Sequence, residues 1–157
     1  MSRDKINRVN KALVHWEEVA DEVVQIQEEY KASGWDTIVL HPGDVTVGTV
    51  SDGSPGFRLV IPESEFEALD DLIGEADDTF DSFEVYNAPT EDLTFYVVAL
   101  KSPALERIIF LPVFYNPEKD AEITDSLDNE HPISIECKKI GSDNKFVFKI
   151  EDTGIFT

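Results

Sequence analysis

Two segments of this chain, Leu93–Leu100 and Ile108–Tyr115, are apolar at nearly every position. Successive side chains of a strand leave opposite faces of the sheet, so a strand covered on one side only alternates apolar with polar residues. Where that alternation is missing, both faces must be covered. The pair therefore predicts two central strands, shielded on both sides by helices or by a partner. Pro112 falls inside the second segment. Having no amide donor, it is expected at a bulge or at the rim of the sheet.

The remaining elements follow from period and punctuation. Residues 4–33 predict one long helix, with Ile6, Val9, Leu13, Trp16, Ala20, Val23, Gln27 and Tyr30 at a strict 3-4 spacing. Gly34 is placed to close it in the left-handed conformation, setting Trp35 back against Tyr30. Strands are expected at 36–40, 45–50 and 57–61, the first two joined by a type II turn at His41-Pro42-Gly43-Asp44. Ser64-Glu65-Phe66-Glu67 matches a capping box and opens a short helix that stops at Gly74. A strand at 83–87 precedes the two central ones. Asn116-Pro117 reads as the cap and first residue of a helix running to about Leu127. Two alternating strands, around 133–138 and 145–150, end the chain as an antiparallel hairpin with one wet face.

The order α-βββ-α-βββ-α-ββ, with short connections throughout, predicts a single α+β domain over residues 1–157. The expected sheet is mainly antiparallel, with a long N-terminal helix and two shorter ones packed on it.

Charge narrows the function classes. The 157 residues carry 33 Asp+Glu against 13 Lys+Arg, a formal net charge of -20. Nucleic acid and anionic membrane would both be repelled, so neither is expected as a partner. The acids are spread along the chain and are densest over 59–100, which has no Lys, Arg or His. A dispersed excess of this kind is a solvation device. Screening reaches only about 3 Å at 1 M salt against about 8 Å at physiological salt. A halophilic cytoplasm suits such a chain, with K+ or Na+ held as non-specific counter-ions. The lone Cys137 fits a reducing compartment.

Motifs with chemical content are few. There is no Walker loop, no dinucleotide fingerprint, no HExxH and no CxxC, and no cofactor or metal site is expected. Cys137 lies in phase with Ile133 and Ile135, as an inert core thiol would. His15 reads as a helix-surface residue and His131 as a loop residue. Glu75, Asp77, Asp78 and Asp81 lack the spacing of a calcium loop and read as a solvated segment. His41 with Asp44 is the one catalytic candidate, because a carboxylate three residues away across a turn can orient an imidazole. Ordinary turn building explains the same two residues, and no nucleophile is placed beside them.

The helix followed by Gly34-Trp35-Asp36 and Val39-Leu40-His41-Pro42-Gly43-Asp44-Val45 resembles a group of small acidic proteins of unknown function from halophilic archaea. Ile61-Pro62, Phe83-Glu84-Val85-Tyr86 and Pro112–Tyr115 continue the likeness. The resemblance implies a salt-rich milieu and supplies no catalytic residues.

The functional reading is a non-enzymatic protein-interaction or regulatory module. The apolar helix stripe serves either a homodimer, through Ile6, Val9, Leu13, Trp16, Val23 and Tyr30, or packing across the chain's own sheet. Its width beyond a bare seam favours the sheet. Alternatives are a small-ligand sensor with a pocket lined by Tyr86, Tyr96 and Tyr115, a hydrolase using His41 and Asp44, and an acidic decoy presenting 59–100 as one face.

Overall fold

In a computed structural model of the chain, the 3-4 spacing produces one continuous helix, α1 (Arg3–Ala32). The structure describes residues 3–76, 79–88, 90, 93–129 and 131–156. Gly34 closes α1 at φ 91°, and Trp35 turns back so that its ring lies 5.1 Å from that of Tyr30. Three strands follow, β1 (Asp36–Val39), β2 (Asp44–Thr49) and β3 (Pro55–Ile61), then α2 (Glu63–Ile73). β4 (Ser82–Asn87), β5 (Thr94–Ser102) and β6 (Arg107–Tyr115) precede α3 (Ala121–Asp128), and β7 (Ile133–Lys139) and β8 (Lys145–Ile150) close the order. A single 3-10 turn, Thr153–Phe156, ends the described chain. The fold is α+β, and the element order is the one the sequence predicts.

The strands form two four-stranded sheets, ordered β1-β6-β5-β4 and β2-β3-β7-β8. Each contains one parallel pair, β1 with β6 and β3 with β7, and the other pairings are antiparallel. β5 and β6 are central in the first sheet, as their uniform apolarity requires. One face of that sheet carries α1: Phe110 meets Tyr30, and Phe95 stacks on Phe114 and Trp16. The other face meets the second sheet, where Tyr115 packs against Phe57. Helix, sheet and sheet thus form three layers around one core. Phe66 of α2 stacks on Phe146 beside the sandwich, and Ile123 and Leu127 of α3 are buried in the same cluster.

Several expectations are corrected. His41-Pro42-Gly43-Asp44 does not make a hairpin; it carries the chain from the first sheet to the second, and Gly43 lacks the positive φ of a type II turn. The capping box does not form. Helix α2 starts at Glu63 after Pro62 without a side-chain cap, and Glu65 is drawn to His41 instead. Asn116 caps a separate turn through Glu118 and Lys119, so α3 begins only at Ala121. The wet face of the last hairpin is also half covered. β7 is central in its sheet, and Ser134 and Glu136 are buried under the 51–54 loop.

Pro112 sits where its missing donor is compensated. The amides of Asp36 and Leu40 donate to Glu106 and Phe110 at 3.0 and 2.9 Å, which sets the parallel ladder between β1 and β6. In that ladder the Leu40 carbonyl is next in line for the amide of residue 112, which proline lacks. The Trp16 indole donates to Leu40 in its place, at 2.9 Å.

Candidate functional site: the open edge of β1

β1 is an edge strand whose one strand partner is β6, and α1 and α2 both pack along it. The amides of Asp36 and Leu40 point to β6, so by strand alternation the backbone groups of Thr37 and Val39 point outward. Two grooves follow this edge. One, of about 480 Å³, lies against α1 and is lined by Glu17, Ala20, Asp21, Val24 and Gln27 together with 37–39 and His41. The other, of about 690 Å³, lies between the end of α1 and α2 and includes Trp35, Asp36, Thr37, Asp71 and Leu72. Thr37 is shared by both, and its hydroxyl accepts from Gln27 at 2.7 Å. Val24 is one of the few large apolar side chains left exposed.

His41 stands at the far end of this edge. Its backbone amide donates to one carboxylate oxygen of Glu65 at 2.6 Å, and its Nδ1 lies 3.5 Å from the other. The carboxylate beside His41 is therefore that of Glu65, which reaches over from α2. Asp44 opens β2 in the second sheet, opposite Val60. Sequence separation hides the 41–65 pair; the only signal was a glutamate early in the second helix, where a capping role already accounted for it.

The other predicted residues are dispersed. Trp16 and Val23 are buried in the chain's own core, and Leu13 and Tyr30 are partly buried against it. The side chains of Ile6 and Val9 lie outside the described residues, as do Asp77, Asp78, Glu91 and Asp92. His15 is less a surface residue than expected: its Nε2 lies 3.1 Å from the Ala88 carbonyl and its ring meets Phe95 edge-on. The three tyrosines do not share a pocket. Tyr96 and Tyr115 are neighbours on the face turned to the second sheet, with the Tyr96 hydroxyl donating to Phe156. Tyr86 is paired with Val97 on the α1 face, where its hydroxyl donates to Glu84. Glu84 also binds Lys101, whose ammonium lies over the Tyr30 ring, and the Lys101 contact lowers the Glu84 carboxyl below its usual range. The acids of α2 lie beside β1 and Glu84 lies on β4, the opposite edge strand of the first sheet, so the described acids of 59–100 present no single face.

A polar cluster that sequence reading missed lies on the second sheet. Glu136, only 2% exposed, accepts from the amide and hydroxyl of Ser51, and Arg58 Nε sits 3.2 Å from its carboxylate. Ser134 donates to Asp52 at 2.6 Å, which lowers the Asp52 carboxyl. These bonds pin the 51–54 loop over β7; each polar group is engaged with its neighbours, as buried polar groups must be. Cys137 faces the opposite, apolar side, and burial pushes its thiol up to about 12. Thiolate is the reactive form, so native protein at pH 8 should resist a thiol-specific reagent, and one thiol per chain should appear on adding denaturant. Fast labelling of the native state would contradict this placement.

Among the described residues no group of three or more His, Cys, Asp or Glu is arranged to hold a metal ion, and no helix is long and apolar enough to cross a membrane. The architecture defines an α+β domain of two mixed sheets with grooves along the edge of β1. Residues 3–157 match the model of a family described as "Family of unknown function (DUF7529)", and the chain belongs to that family. No curated protein and no solved structure matches it.

Proposed function

We propose that this domain is a non-enzymatic protein-interaction module, and that its partner binds in the groove between α1 and β1. One observation carries the reading: a strand edge with outward backbone groups runs along the floor of an open groove that also exposes Val24. Edges left open are normally blunted, because they template pairing with other chains. A homodimer through the apolar stripe would have to withdraw Trp16 and Val23 from the core, which favours the groove as the binding surface. The test is capture from a lysate of the source cells by the immobilised domain and by its Val24→Arg variant. Val24 is 43% exposed, so the variant should fold with an unchanged thermal midpoint and lose the bound protein. Equal capture by both would remove the groove from the reading.

We also place the domain in a halophilic cytoplasm. The support is the net charge of -20 spread over the chain, a self-repulsion that molar salt screens. The thermal midpoint is expected to rise by several degrees between 0.1 M and 2 M KCl, and a midpoint independent of KCl would argue against this milieu.

A further inference from the structure

Resting on the groove reading, we propose that the occupant binds by strand addition: an extended segment of another protein pairs with β1 at Thr37 and Val39. The backbone at this edge already displays what it needs. His41, the next outward-facing residue after Val39, has its amide met by the Glu65 carboxylate at 2.6 Å, a side-chain acceptor where a neighbouring strand would offer a carbonyl. No comparable acceptor among the described residues meets the amides of Thr37 and Val39. The open stretch is thus bounded by His41 at one end and by the turn at Gly34-Trp35 at the other. It accommodates about four residues of added strand, close to the four of β1 itself.

The groove also states what kind of segment fits. In an added strand every second side chain would turn toward α1, where Ala20, Val24 and Val39 offer apolar surface. Glu17 and Asp21 are four apart on the helix and line the same wall. Like charges at that spacing repel, and no ion pair among the described residues engages either one. A segment alternating apolar residues with lysine or arginine at its ends complements this wall, whereas an acidic one does not. In molar salt the backbone pairing and apolar contacts would dominate, and the charges would discriminate.

Four eight-residue synthetic peptides test the proposal by amide NMR titration at low salt. One alternates valine and threonine with lysine at both ends; the second replaces lysine with glutamate; the third and fourth are the lysine peptide N-methylated at alternate residues, one in each phase. The lysine peptide should shift the Thr37 and Val39 amides, and N-methylation in one phase should abolish the shifts. The glutamate peptide should bind at least tenfold more weakly. Shifts confined to α1, with Thr37 and Val39 unmoved, would overturn strand addition and leave the groove reading standing. Equal binding of the glutamate peptide would overturn the charge preference alone. No shift with millimolar lysine peptide would overturn the proposal, while the Val24→Arg capture experiment would still decide the groove independently.

Discussion

Replacing Gly56 by alanine is expected to cost about 3 kcal/mol or more, a large share of the about 5–15 kcal/mol that holds a domain folded. Gly56, the second residue of β3, lies opposite Ser134 in the parallel pairing of β3 with β7. A methyl group built there would lie 1.9 Å from the Ser134 carbonyl oxygen and 2.8 Å from its carbon. Both atoms are backbone, so no side chain can turn away to make room. Either β3 parts from β7 or Ser134 shifts, and a shift would pull on the Asp52 bond that holds the 51–54 loop. The control is its cross-strand neighbour. Gly48 pairs with Gly56, yet a Cβ there meets nothing within 4 Å, so Gly48→Ala should stay within about 1 kcal/mol of the parent. Denaturant midpoints measured in parallel decide it. Two similar losses would mean that the Ser134 clash does not set the cost, since removing a glycine lowers the entropy of the unfolded chain and by itself stabilises.

Trp16→Ala should be comparably damaging, at about 3–5 kcal/mol, the usual cost of emptying a buried aromatic site. Trp16 is 1% exposed and stacks on Phe95 with ring centroids 6.4 Å apart. It is also the donor that completes the β1–β6 ladder where Pro112 cannot. The two contributions separate experimentally. Trp16→Phe keeps most of the packing and leaves the Leu40 carbonyl without its donor, at about 1–3 kcal/mol. Adding Pro112→Val supplies an amide in the position next in line, so the double variant should recover part of that loss. A double variant no more stable than Trp16→Phe would show that Leu40 does not receive its bond through this ladder. Because Leu40 precedes His41, loosening this contact should also shift His41 relative to Glu65.

The fold was largely legible because its signals are local. Uniform apolarity marked β5 and β6 as central, and Gly34 and Gly74 ended their helices where the pattern breaks. Two of the misreadings, those of Glu65 and Glu136, share one cause: each assigned a local role to a residue whose partner is distant in sequence. Glu65 and Ser64 had the spacing of a cap, but the Glu65 carboxylate had a stronger claim on it in the His41 amide 24 residues away. Glu136 read as the solvated side of a hairpin strand, yet Arg58 and the 51–54 loop enclose it. Tyr86 was grouped with Tyr96 and Tyr115 by residue type, and the pleat of β4 and β5 puts it on the other face. The candidate site was half visible. His41 stood out as the chemical feature of its turn, while the groove beside it depends on how α1 crosses β1, which no short-range pattern encodes.

The sequence by itself determined the element order, the two central strands and the dispersed charge, since these follow from period, punctuation and composition. Only the tertiary structure decided that the strands divide into two sheets and that β1 is left with an open edge. Strand pairing is a choice among distant partners, made by which apolar faces bury one another and which backbone groups find acceptors. The chain passes from β1 to β2 by changing sheets, and that one crossing leaves Thr37 and Val39 facing outward.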